Sequence, residues 1–245
     1  MAALSKFSSV AQLTGGTLLL VCALITQAAP ADLSLVSRDF RGEPTTTRDG
    51  QTAVSPDGRY VAFLTTDPEV TDDAPDEGTH LVVRDRQVGE NQLLVTLDSG
   101  ISSFSEGIDI SADGRYVVFA SRDSFLPGDE NNIEDCFIAD RRSGIVRRMN
   151  EALGGGDSTE PCFTPSMDDA GENAVFVSGA ENLVAGDTNG VADAFLYRVG
   201  SGQLELISVG DDEAPSRSSA VSYTHLRAHE TSLHLVCRLL LEKKK

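Results

Sequence analysis

The sequence has no tryptophan, and aromatic residues make up only 6% of its 245 positions. Basic residues are also scarce, with 20 Lys and Arg against 38 Asp and Glu, for a formal net charge of −18. A surface of that sign repels phosphate backbones and anionic headgroups, so nucleic acid is excluded as a partner. The acidic excess itself reads as a solvated face rather than as an acidic tail. Long apolar runs are missing as well. The longest candidate, Thr17–Ile25, falls well short of the ~20 residues that span a bilayer, so no integral membrane segment is expected in the mature chain. Helical periodicity is not sustained anywhere before residue 221. No G-x-S-x-G is present, and three of the four histidines fall in the last 25 residues.

What is there divides into three stretches. Residues 1–28 read as a secretory signal: Lys6 is the only charge, the apolar run follows, and Thr26–Ala28 offers small residues for cleavage. The mature start is placed near Ala29. A lipoprotein reading through Cys22 is weaker, because Val21 is bulky and apolar residues continue beyond the cysteine. Residues 221–245, "VSYTHLRAHETSLHLVCRLLLEKKK", break abruptly from the acidic, Gly-rich composition before them. They resemble a translated sequencing-library adapter, with a short variable index between two fixed blocks. His225, His229, His234 and Cys237 have the look of a zinc site, but on this reading they are a by-product of reading frame. The chain is then expected to be a truncated piece of a longer one, its native part ending near Ser219.

Residues 29–219 carry an internal repeat. "SPDGRYVAF" begins at Ser55, "SADGRYVVF" at Ser111, and a degraded copy, "SMDDAGENAVF", at Ser166. A polar loop follows each copy, then an apolar run: "HLVVRD" (80–85), "DCFIAD" (135–140) and "DAFLYR" (193–198). A last run closes each repeat: "QLLVT" (92–96), "IVRRMN" (145–150) and "LELIS" (204–208). The Asp-Gly pairs supply tight turns, and the β-branched and aromatic runs supply strands. Near-continuous apolar character in "YVVF" implies that both faces are covered, as in stacked sheets. The expected fold is all-β: a partial β-propeller of about three four-stranded blades, with repeats at about 52–105, 106–160 and 161–219. "LSLVS" (33–37) is similar to "LELIS" and is expected to be an outer strand.

At "SPDGRYVAF" and "SADGRYVVF" the sequence resembles TolB-like propeller repeats of exported bacterial type. The loops "GDTNGVADAF" (186–195) and "GDENNIEDCF" (128–137) add to the resemblance, which covers about residues 33–219. It implies an exported propeller, periplasmic or extracellular, with an interaction role. TolB-like blades also form the propeller half of some serine peptidases, whose catalytic domain is a separate unit. The leading expectation is therefore a non-enzymatic module that binds a protein or other envelope component. The alternative is the propeller half of an exported serine peptidase or other hydrolase.

Candidate chemistry is sparse. His80, the one histidine of the native part, lies at the start of an apolar run and reads as structural rather than as a general base. The turns are not sialidase Asp-boxes, which want a residue between Asp and Gly and a downstream Trp. Cys136 and Cys162 fall in adjacent repeats of an exported chain and are open to two readings, a disulfide or two buried thiols. Asp187, Asn189 and Asp193 place oxygen donors at i, i+2 and i+6, with Gly190 in the bend. Asp129, Asn131 and Asp135 repeat that spacing, with Asn132 in the bend. Hard oxygens on a short loop suit Ca²⁺, which takes about six to eight of them. A turn held by Asp and Asn side chains fits the same residues and is preferred, because the first repeat keeps Asp73 but has Pro75 and Thr79 or His80 instead.

Overall fold

The computed structural model describes residues 34–45, 51–97, 107–124 and 126–209. The signal segment and the 221–245 tail lie outside them. Among the described residues twelve strands make three four-stranded sheets, each an antiparallel meander in chain order. The first holds β1 (Thr52–Val54), β2 (Tyr60–Thr65), β3 (Thr79–Asp85) and β4 (Glu90–Leu97). The second holds β5 (Ile108–Ile110), β6 (Tyr116–Ser121), β7 (Asp135–Asp140) and β8 (Ile145–Arg148). The third holds β9 (Cys162–Met167), β10 (Asn173–Ser178), β11 (Asp193–Arg198) and β12 (Gln203–Leu206). The fold is all-β, and the sheets resemble propeller blades. No helix of the described residues is long and apolar enough to cross a membrane.

Strand periodicity explains how the blades pack. Successive side chains of β6 point to opposite faces. Val117 and Phe119 join Phe137, Ala62, Leu64 and Leu81 in the core between blades 1 and 2. Val118 and Ala120 turn the other way, into a core with Ile138, Phe176 and Phe195 between blades 2 and 3. The apolar run of β6 is continuous because both faces meet a neighbouring blade. Each buried Val, Leu, Ile or Phe side chain of these cores is worth about 1.5–3 kcal/mol.

The repeated turn is also the joint between blades. Ser55 Oγ donates to Asp57 Oδ1 and accepts from the Tyr60 amide, while Gly58 turns at φ 71°. Ser111, Asp113, Gly114 and Tyr116 repeat the arrangement. Arg59 forks onto Asp85 at 3.0 and 2.7 Å, and Arg115 onto Asp140 at 3.1 and 2.8 Å, tying each turn to the end of the blade's third strand. The tyrosine ring lies on the glycine of the next blade. A Cβ at Gly114 would stand 2.2 Å from the Tyr60 ring, and one at Gly171 would stand 2.8 Å from the Tyr116 ring. Glycine is needed here for contact as much as for φ.

Three details differ from the sequence expectation. The first strands β1, β5 and β9 carry no repeat signature: two have three residues each, and β9 contains Pro165 and Thr164 at φ 49°. In the third repeat the equivalent of Ser55 and Ser111 is Asp168 rather than Ser166. Its amide donates to Asn173 O as theirs do to Tyr60 O and Tyr116 O, and Gly171 keeps a φ of 68°. Residues 35–37 form no strand. The chain after them makes a small bridge between Arg38 and Pro44, docked on blade 1 by Asn91 Nδ2 donating to Arg38 O at 2.5 Å.

Candidate functional site

The loop between the second and third strands of each blade ends on a buried ionisable side chain at the head of the third strand. Pairing with the second strand puts all three in one position: Thr65 opposite His80, Ser121 opposite Asp135, and Ser178 opposite Asp193. A polar side chain arriving from beyond the fourth strand, or at its end, clamps each one. Thr96 Oγ1 lies 3.0 Å from His80 Nδ1, Asn150 Nδ2 donates to Asp135 Oδ1 at 2.5 Å, and Ser208 Oγ donates to Asp193 Oδ1 at 2.5 Å. The same Asn150 and Ser208 side chains accept from the amides of Cys136 and Ala194. His80, Asp135 and Asp193 are all fully buried.

The three positions handle charge differently. In blade 1 burial pushes the His80 imidazole below its ordinary pKa, which favours the neutral ring. In blade 2 Asp129 and Asp135 are both buried, and Arg148 reaches between them: its Nη1 lies 3.6 Å from Asp129, 3.4 Å from Asp135 and 2.7 Å from Asp157. Burial, reinforced by the charge of Asp135 and opposed by Arg148, pushes Asp129 up to about 6. Burial also raises Asp135, against the pull of Asn150 and Arg148. In blade 3 no described Lys, Arg or His forms an ion pair with Asp187 or Asp193. Leu206 faces Phe195 in the register where Arg148 faces Phe137. Asp187 is 4% exposed and its Oδ1 has no hydrogen-bond partner. Burial raises its pKa, with Asp193 and Glu181 adding to the rise and the Asn189 amide opposing it.

The asparagines of both loops shape the bend. Asn131 Oδ1 accepts from the Ile133 amide at 3.2 Å and Asn189 Oδ1 from the Val191 amide at 3.0 Å. Asn132 takes φ 55° where Gly190 takes 69°. Asn189 Nδ2 also donates to Asp193 Oδ2 at 2.6 Å. Among the described residues no three His, Cys, Asp or Glu side chains converge as a metal-binding group. Sequence reasoning missed Arg148, Asp157 and Ser208. Aligning "IVRRMN" (145–150) with "QLELIS" (203–208) position by position would have exposed the exchange of Arg148 for Leu206.

Beside these loops Cys136 and Cys162 are joined by a disulfide, with Cα atoms 5.6 Å apart. It ties β7 of blade 2 to β9 of blade 3, next to the hydrogen bond from the Cys162 amide to Glu134 O at 2.7 Å. A groove of about 970 Å³ opens between blades 2 and 3, lined among others by Arg147, Met149, Leu153, Leu183, Tyr197 and Leu204.

No family model and no curated protein matches the sequence. Among solved structures the chain is similar to a TolB-type protein from Agrobacterium tumefaciens, with TM-score 0.42, 19% identity, and coverage of 66% of this chain and 50% of that one. It is similar to TolB from Acinetobacter baumannii, with TM-score 0.40, 14% identity, and coverage of 72% and 37%. It is also similar to the β-propeller domain of the Trilobed protease from Pyrococcus furiosus, with TM-score 0.41, 11% identity, and coverage of 66% and 42%. The chain spans half or less of the length of these structures. The likeness is to part of a propeller architecture.

Proposed function

We propose that this chain is an exported, TolB-like β-propeller module that works by binding a partner, a protein or other component of the cell envelope, rather than by catalysis. The observation that carries this reading is where the reactive groups sit. His80, the one histidine among the described residues, is fully buried and clamped by Thr96, so it cannot reach a substrate. Asp129 and Asp135 are buried around Arg148 inside blade 2, and Cys136 and Cys162 are joined. The chemistry of the blades is committed to holding them together. The groove along blades 2 and 3, where exposed Leu153 and half-buried Leu204 lie with Arg147, is the surface offered to a partner. Export is supported by the N-terminal sequence and by the cross-blade disulfide, since such bonds persist outside the reducing cytosol.

The test is fractionation and cross-linking in a bacterial host. The protein is expected in the periplasm or medium with its N-terminus near Ala29, and cross-linked to an envelope component. Labelling of the full chain by an active-serine probe, or retention in the cytosol with Met1 intact, would overturn the reading.

A further inference from the structure

We infer that the head of β11 is a cation site, built by the carboxylates of Asp187 and Asp193 with Asn189 and taken by Ca²⁺. The inference is independent of what partner the module binds. It rests on the comparison of three blades that put the same backbone position to use. Blade 1 places a histidine there, whose burial favours the uncharged ring. Blade 2 places two buried carboxylates there and brings its own cation, the Arg148 guanidinium, within 3.6 Å of one and 3.4 Å of the other. Blade 3 keeps both carboxylates, but among the described residues no cation pairs with them, and Leu206 occupies the register of Arg148.

Two buried carboxylates without a counter-charge are costly, and such groups pair, bind a metal ion or take up a proton. The second observation is Asp187 itself: it is 4% exposed, and its Oδ1 is buried with no hydrogen-bond partner. The side-chain oxygens of Asp193 and Asn189, by contrast, all have donors. Asp193 Oδ1 accepts from Ser208 and Oδ2 from Asn189, and Asn189 Oδ1 accepts from Val191 N. The orphaned atom is thus a hard, anionic oxygen held beside a second carboxylate on a loop that bends at Gly190, φ 69°. That donor set suits calcium over softer metals. Two carboxylates are too few for a tight buffer-type site, so backbone carbonyls and water complete the shell, and affinity falls in the weak range of extracellular modules, about 0.1–1 mM. The Asn189 amide that now bridges to Asp193 is the group an incoming ion displaces. In blade 2 Arg148 already fills the equivalent space, so that loop takes no ion.

The experiment grafts one blade's solution onto the other. The full chain, its L206R variant and its D187N variant are melted in EDTA, in millimolar CaCl2 and in millimolar MgCl2, and titrated calorimetrically with CaCl2. The unsubstituted chain is expected to gain about 3–5 °C with calcium and less with magnesium, which demands near-ideal octahedral geometry and dehydrates reluctantly. L206R supplies the guanidinium in cis, so it is expected to melt higher in EDTA and to show no calcium gain. D187N removes the orphaned oxygen's charge and is expected to lose the calcium heat while remaining folded. Three results would overturn the inference. One is no calcium heat with equal melting in EDTA and CaCl2. Another is a calcium response that survives in L206R and D187N. The third is a metal-independent melt that rises steadily on acidification, which would mean that a proton alone neutralises the pair.

Discussion

Replacing Arg148 by methionine tests whether blade 2 is held by its internal cation. The side chain is 8% exposed, and its Nη1 touches Asp157 at 2.7 Å, Asp135 at 3.4 Å and Asp129 at 3.6 Å. Its Nη2 also donates to Gly156 O at 2.9 Å. Methionine keeps most of the volume, so the loss is electrostatic rather than a cavity. Removing one member of a buried charge cluster leaves the others uncompensated, at about 3–5 kcal/mol. Asp157, partly exposed, contributes the smaller share of that figure. The pH dependence separates this cause from a packing defect. Asp129 sits at about 6 even with Arg148 present, above its ordinary 3.8. A carboxylate whose folded pKa is raised takes up a proton on folding, so stability is greatest below the unfolded value and falls as pH rises through the folded one. Without Arg148 that falling limb moves to higher pH. Urea denaturation of the full chain is therefore expected to show the largest deficit at about pH 8 and a much smaller one near pH 5. A variant as stable as the parent at pH 8, or a deficit that widens on acidification, would refute the reasoning.

Three further outcomes are expected. Reducing the Cys136–Cys162 bond, or replacing both cysteines by serine, is expected to cost about 3.5 kcal/mol by loop-closure entropy. Melting with and without reductant checks it, and an unchanged melt would mean that the bond constrains nothing. Gly114→Ala puts a Cβ 2.2 Å from the Tyr60 ring at φ 65°, so it is expected to cost about 3 kcal/mol or more in chemical denaturation. The same change at the exposed Gly144, where nothing lies within 4 Å, is expected to cost only its φ strain, about 1 kcal/mol. Arg115 beside Asp140 holds that carboxyl down to about 2. The contribution is present above the ordinary 3.8 and is lost as pH falls toward 2. Asp140→Asn is therefore expected to cost about 1 kcal/mol at neutral pH, an amount limited by the partly exposed guanidinium, and the gap should close in acid.

Much of the blade was legible in the sequence because its signals are local. "SPDGRYVAF" and "SADGRYVVF" each contain a turn and a strand whose hydrogen bonds close within six residues, from Ser55 to Tyr60 and from Ser111 to Tyr116. The β-branched run after the turn can do little but extend. Asp187 and Asp193 also stood out, as did Asp129 and Asp135, because the i and i+6 spacing lies on one short loop. The disulfide was one of two open readings, since cysteine spacing does not say which Cβ atoms face each other.

Other features exist only in the folded chain. β1 and β5 are three residues long, too short for an alternation to be read, and they are strands because β2 and β6 lend them an edge. The glycines of the repeated turns supply positive φ, and the second duty of Gly114 and Gly171, receiving a tyrosine from the preceding blade, appears only when blades stack. Arg148 in "IVRRMN" and Leu206 in "LELIS" read alike as members of an outer strand. The β7–β8 and β11–β12 pairings carry one to the carboxylates as a counter-charge and the other to the same place as a methylene surface. Local sequence determined turns, strands and the acidic loops, whose contacts lie close along the chain. Which buried charges are matched was decided by the tertiary structure, because a charge is neutralised by whatever lies beside it in space.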